Sequence, residues 1–194
     1  MICIIRVSMP LMTEKFIDNC IKGDPKAQKQ LFEQLYAPLY RVCLRYINHK
    51  EDAEDCLMKG FLKAFQNIHR FSYTGEGSFQ GWIRRIMVNE CLMFLRKKSS
   101  LLFYPEEEPI QCSLPAEVLL KIEAEALNAL VMQLPVGYRT IFNLFAVEGY
   151  SHKEIADLLG VTESTSKSQF SKARMKLKLL LEQKKSVVYG KLGE

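Results

Sequence analysis

Two stretches of this chain combine residue types that can engage a nucleic acid. The first is Phe71–Trp82, FSYTGEGSFQGW, with three glycines, two serines and four aromatic rings. Separating paired strands needs something to replace lost base stacking, and Phe71, Tyr73, Phe79 and Trp82 offer rings. A stacked base is worth roughly 1–3 kcal/mol in single-strand binders. Packing beneath the loop as core is the competing role for these rings. For Phe79 and Trp82 the two roles weigh equally, whereas Tyr73 is expected to be exposed. The second stretch is Thr162–Lys172, TESTSKSQFSK. At about 100° per residue, Ser164, Ser168, Ser171 and Lys172 share one helix face, with Lys167 on its flank. Small hydroxyls and cations on an outer face suit a DNA major groove, and a solvated polar face is the blander alternative. Elsewhere no nucleophile–base pair, metal-ligand set or phosphate-cradling glycine loop occurs. The sequence therefore implies no catalysis, no cofactor and no metal, and His49, His69 and His152 are assigned no chemistry.

The elements that must position these stretches read as helices throughout. Ser151 followed three residues later by Glu154 is a capping box, opening a helix whose Ile155, Ala156, Leu158 and Leu159 share a face. Gly160 can take the left-handed conformation that stops it, Val161 can plug the turn, and Thr162 caps the next helix. On that second helix Phe170, Ala173, Leu177 and Leu180 point inward. Arg174 falls near the inner side, which favours a rim ion pair with Glu154 over a DNA contact. This is a helix-turn-helix pattern.

Upstream, Phe16, Ile17, Cys20 and Ile21 form one stripe ending at Gly23. Asp24-Pro25 starts a helix reaching about Ile47, with Leu31, Leu35, Leu39, Val42, Cys43 and Tyr46 inward. EDAEDCLMKGFLKAFQNI follows, acids in its first turn and Leu57, Phe61, Ala64 and Phe65 inward. GWIRRIMVNECLMFLRKK is again helical, with Arg84, Arg85, Arg96, Lys97 and Lys98 basic. The four loop rings lie just before this basic helix or in its first turn. From Ser99 to about Pro115 periodicity lapses, and Pro105 and Pro109 flank the run Glu106-Glu107-Glu108, the pattern of a linker. Periodicity returns near Glu117 through Leu134, and Pro135 starts a further helix closed by Gly149. The expected fold is all-α: two small helical domains joined by a flexible linker, the second carrying the helix-turn-helix. The boundaries are 1–12 a disordered or mis-annotated tail, 13–98 the first domain, 99–116 the linker, 117–185 the second domain and 186–194 a tail.

Composition supports a nucleic-acid partner without demanding one. The 194 residues carry a net charge of +5, 48% apolar and 25% charged residues. Lys153, Lys167, Lys172, Arg174, Lys176, Lys178, Lys184 and Lys185 concentrate cations in the final third. No apolar run approaches the roughly 20 residues of a membrane helix, and the opening MICIIRVSMPLM lacks a small-residue cleavage site. Six cysteines (Cys3, Cys20, Cys43, Cys56, Cys91, Cys112) form no Cys-x-x-Cys pair, which fits buried small hydrophobes in a reducing cytoplasm.

DAEDCLMKGFLKAFQNI, GSFQGWIRRIMVNECLMFLRKK and LPVGYRTIFNLFAVEGYSHKEIADLLGVTESTSKSQFSKAR, in that order, resemble the extracytoplasmic-function group of sigma-70 factors, over roughly residues 13–182. The resemblance implies a protein that binds core RNA polymerase and directs promoter-specific initiation. Its region 2-like domain would meet the polymerase β′ clamp through Asp52, Glu54, Asp55 and Lys59. It would recognise and melt the −10 element through Phe71, Tyr73, Phe79, Trp82, Arg84, Arg85 and Asn89. The region 4-like domain, facing the β flap, would read the −35 element through Thr162, Ser164, Lys167, Ser168, Ser171 and Lys172. A cytoplasmic location and an anti-sigma partner, often membrane-bound in the family, are also implied, with no small-molecule substrate. One departure stands out: family members commonly carry Gln followed by an acid where this chain has Met58-Lys59. Lys59 is expected to cancel part of the acidic field, or to pair with Asp55 four residues earlier. Two alternatives remain at this point: a stand-alone helix-turn-helix regulator, and an interaction protein that sequesters a partner through helical surfaces.

Overall fold

The computed structural model describes residues 9–98 and 124–190. These fall into two compact units, one on each side of residues 99–123. The expected linker over 99–116, the start of the second domain at 117, Cys3, Cys112 and the outermost tail residues lie outside the described residues.

The first unit starts with α1 (Glu14–Ile21), α2 (Pro25–Tyr46) and α3 (Lys50–Asn67), each entered by local chemistry. Thr13 Oγ1 accepts from the Phe16 N–H, Asp24 Oδ1 accepts from the Lys26 N–H, and Pro25 supplies a preset first helical residue. Glu51 and Asp52 occupy the first turn of α3, where the helix dipole favours anions. A short 3-10 turn (Ile68–Arg70) leads into the loop, and α4 (Ser78–Lys98) follows. Helices α2, α3 and α4 pack against one another around Leu35, Leu39, Leu57, Ile83 and Met87, all fully buried, and α1 lies against α2. The helices approach closely at Gly60 of α3, where a Cβ would overlap the Met87 sulfur of α4 and force that side chain to shift. The cysteines of this unit, Cys20, Cys43, Cys56 and Cys91, are buried free thiols, as their scatter suggested.

The second unit comprises α5 (Ala124–Val131), α6 (Val136–Phe142), α7 (His152–Leu159) and α8 (Glu163–Gly190). Between α6 and α7 the helix widens to a π-turn over Asn143–Glu148, ending on Gly149 with φ 84°. The uniform helix expected from Pro135 to Gly149 is thus regular only in its first half. Its core joins Leu127 and Val131 to Phe142, Val147, Ala173 and Leu177. Helix α8 continues to Gly190, past the boundary at 185 suggested by the sequence. The described residues contain no strand, and none of their helices is long and apolar enough to cross a membrane. The fold is all-α.

Candidate nucleic-acid and partner interfaces

The helix-turn-helix forms as its local signals require. Ser151 Oγ accepts from the Glu154 N–H at 3.2 Å while the Ser151 N–H donates to Glu154 Oε2 at 2.8 Å, closing the capping box. Gly160 takes φ 69°, and the Gly160 and Val161 N–H groups both reach the Ala156 carbonyl. Thr162 Oγ1 accepts from the Thr165 N–H at 3.0 Å and lies 2.8 Å from Thr165 Oγ1. The Thr162 hydroxyl is thereby committed to capping α8.

On α8, Ser164 and Lys167 are exposed, whereas Ser168, Ser171 and Lys172 are half-buried, a narrower outer face than the helical wheel suggested. Ser171 and Lys172 also have partners within the chain. Lys167 Nζ sits 2.6 Å from Glu163 Oε1, and this lysine holds the Glu163 carboxyl below its ordinary range. The exposed Lys167 is therefore carried on a short ion-paired turn. Arg174, expected beside Glu154, has its guanidinium 6.0 Å over the Phe170 ring, and the Glu154 carboxylate serves the capping box.

One residue given no chemistry from sequence turns out to position this face. The imidazole of His152 stacks on Phe145 at 4.3 Å and 13°, presents an edge to Phe170 at 5.7 Å, and places Nδ1 2.9 Å from the fully buried Ser166 Oγ of α8. Burial, and then the nearby Lys167 charge, push the His152 pKa down, with Glu163 partly opposing. A signal for Ser166 was present: it precedes Phe170 by four residues, Ala173 by seven and Leu177 by eleven, which puts it on the buried stripe. Nothing local in the sequence pairs it with His152.

In the first unit the loop rings divide. Phe79 is fully buried, edge-on to Phe71 at 5.2 Å and 5.4 Å from Trp82. Its expected role at the −10 element is corrected to core, since a ring enclosed on all sides cannot receive a base. Arg84 is likewise 5% exposed and already partnered, so its guanidinium does not face a phosphate. Phe71, Trp82 and Tyr73 are half-buried, so Tyr73 is less open than expected. Arg85 and Asn89 are exposed one turn apart on α4, with Arg96 and Lys97 exposed further along. Gly75 and Gly77 adopt positive φ with open space around them, and Ser78 Oγ ties the loop base by donating to the Gly75 carbonyl at 2.7 Å.

The acidic face of α3 is partly spoken for. Asp52 Oδ2 lies 2.7 Å from Lys98 Nζ and 3.3 Å from His49 Nδ1. The Lys98 hydrogen bond, with the His49 and Lys59 charges, holds the Asp52 carboxyl low. Glu54 accepts from the Tyr36 hydroxyl at 2.7 Å. The anticipated Asp55–Lys59 ion pair does not form; both side chains are exposed, and the Lys59 field falls on Asp52. Beside Asp55, Met58 and Leu62 are 48% and 59% exposed, an apolar pair at i,i+4 that the sequence reading passed over. Among the described residues no group of three or more His, Cys, Asp or Glu side chains could hold a metal ion.

Comparison with known proteins matches residues 31–101 to the family model described as sigma-70 region 2, and residues 124–177 to sigma-70, region 4. The ECF RNA polymerase sigma factor SigM of Mycobacterium tuberculosis (strain H37Rv) is 33% identical over 162 residues, covering 83% of this chain and 80% of that protein. RNA polymerase sigma factor SigZ of Bacillus subtilis (strain 168) is 29% identical over 154 residues, covering 79% and 86%. Among solved structures, CnrH in complex with the cytosolic domain of CnrY aligns with a TM-score of 0.48 at 21% identity, over 87% of this chain and 96% of that one.

Proposed function

The chain belongs to the extracytoplasmic-function group of sigma-70 RNA polymerase sigma factors, and we propose the residues through which it acts as one. It binds core RNA polymerase and directs it to promoters by engaging the −10 and −35 elements. The observation that carries this reading is the presence, in one chain, of an aromatic and glycine loop leading into a basic helix and of a helix-turn-helix whose second helix exposes Ser164 and Lys167. A stand-alone regulator needs only the second of these, and a sequestering protein needs neither.

Residues 13–98 act as the region 2-like domain, 99–116 as the linker and 117–185 as the region 4-like domain. Tyr73, with the open faces of Phe71 and Trp82, receives unstacked −10 bases, while Arg85 and Asn89 meet the adjoining strand. Ser164, Lys167 and Ser168 face the −35 groove, with Ser171 and Lys172 at its edge. Asp55, Met58, Lys59 and Leu62 meet the β′ clamp, an acid and two apolar side chains around one cation. Asp52 and Glu54 join them once released from Lys98 and Tyr36. The region 4-like domain faces the β flap, and the chain works in the cytoplasm with an anti-sigma factor as its antagonist. The chemistry of initiation belongs to polymerase, and this chain supplies binding and strand separation.

In-vitro transcription with core enzyme and a promoter library tests the reading. Specific transcripts should require both components, and tight site-specific duplex binding by the free protein would instead support a stand-alone regulator. Within such reactions Tyr73→Ala should reduce permanganate reactivity of the −10 region while −35 contacts persist. The stacking at stake is about 1–3 kcal/mol per base. Equal opening by Tyr73→Ala would remove this loop from the assignment.

A further inference from the structure

The short segment ahead of α1 is packed in a way its sequence did not announce. Met12 is 4% exposed although it precedes the first helix, while its neighbour Leu11 is 64% exposed. One residue is thus seated in the first unit and the next turned out, as in an extended strap. The Pro10 carbonyl, 70 residues away from Gln80 along the chain, accepts from Gln80 Nε2 at 2.7 Å. Gln80 lies in the first turn of α4, directly after the fully buried Phe79 and two residues before Trp82. The loop immediately upstream is tied chiefly to the turn on which it ends: Ser78 Oγ donates to the Gly75 carbonyl at 2.7 Å and accepts from the Thr74 N–H at 3.4 Å, while Gly75 and Gly77 stand at positive φ with open space where a Cβ would sit. Its position is inherited from the Ser78–Gln80 turn on which it ends, and that turn is tied to the strap.

The geometry points to Met9–Met12 as a strap that fixes the base-receiving loop, with Gln80 as the positioning residue that fastens it. This rests on the loop having the role proposed above. The orientation of the Gln80 amide follows from the contact itself, since only its NH2 group can donate to a carbonyl. The other end, Oε1, is buried without a hydrogen-bond partner. Replacing Gln80 by Ala therefore removes one hydrogen bond and one orphaned acceptor together. The Pro10 carbonyl it releases sits on an exposed residue and can turn to water. Such a change is close to neutral for folding. Its effect should fall on where the loop rests.

The test uses the full chain, Gln80→Ala, a chain shortened to begin at Thr13, and the two changes combined. Gln80→Ala and the shortened chain should each slow promoter opening about two- to tenfold, the factor one hydrogen bond of positioning supplies. Both should also speed amide hydrogen exchange over residues 74–81 in the free protein. Competition for core polymerase should stay at the parent value for both, and the thermal midpoint should stay there for Gln80→Ala, whereas the shortened chain, which also gives up the buried Met12, should melt lower. The combined variant should open no more slowly than the shortened chain alone, because both changes cut the same tie. Additive slowing, or slowing that tracks lost core affinity, overturns the strap, as does unchanged loop exchange. Tyr73→Ala separates the two readings. If it opens promoters normally while Gln80→Ala still loosens residues 74–81, the loop's role fails and the strap stands. If it slows opening while Gln80→Ala changes neither opening nor exchange, the strap fails and the loop's role stands.

Discussion

Acidification should loosen the helix-turn-helix through a single side chain, His152. Its ring is stacked on Phe145 and hydrogen-bonded to the buried Ser166 of α8. Burial and Lys167 make the folded state a poorer proton acceptor than the unfolded chain, whose imidazole keeps the ordinary value of 6.5. The unfolded state then binds more protons at low pH, so the stabilisation is complete above about pH 6.5 and drains away as pH falls through the lower, folded value. Truncation shows how much is at stake. Losing the stacked ring costs about 0.5–1.5 kcal/mol, and stranding the Ser166 hydroxyl without its partner costs about 1–3 kcal/mol. His152→Ala should therefore destabilise the second unit by about 2–4 kcal/mol, a large fraction of the roughly 5–15 kcal/mol typical of a whole domain. Hydrogen exchange of α7 and α8 in the full chain, corrected for intrinsic rates, reads this directly. Protection should drop between about pH 7.5 and about pH 5.5, and His152→Phe should flatten that dependence by keeping a ring without the proton. The single tryptophan, Trp82, lies in the other unit and serves as an internal control whose fluorescence should not follow. Protection that is equal at both pH values in the parent, or a His152→Ala cost below about 0.5 kcal/mol, would refute the reasoning.

Lys98→Ala frees Asp52 from its 2.7 Å partner. It should tighten binding to core polymerase about two- to fivefold at low salt in a competition assay without DNA, the gain fading as salt rises. Equal or weaker binding at every salt would mean that Asp52 does not face the clamp. Gly60→Ala gains about 1 kcal/mol of helix propensity but drives a methyl into Met87, whose Cε would lie 2.9 Å away. Overpacking at about 1–3 kcal/mol should win, lowering the thermal midpoint. Gly81→Ala, on open surface in α4, should raise the midpoint through the same propensity term.

What the sequence determined by itself is what neighbours along the chain decide. Ser151 and Glu154 are three residues apart, so their reciprocal cap is legible, as are the left-handed stop at Gly160 and the Asp24-Pro25 start. The order of the two helical blocks was readable for the same reason, since each helix announces its apolar stripe with its own period. Tertiary structure decided which of several equivalent side chains a neighbouring element would cover. Phe79 and Tyr73 are both loop rings in sequence, yet only Phe79 is fully enclosed, by Phe71 and Trp82 among others. Asp52 and Lys98 each looked available to a partner, until two helices set their tips 2.7 Å apart across 46 residues of chain. His152 with Ser166, and Gln80 with Pro10, are contacts of the same kind. Helical period fixes a side chain's direction only about its own axis. What lies in that direction depends on how the helices pack, and long polar side chains then choose among partners by rotamer, which no local spacing records.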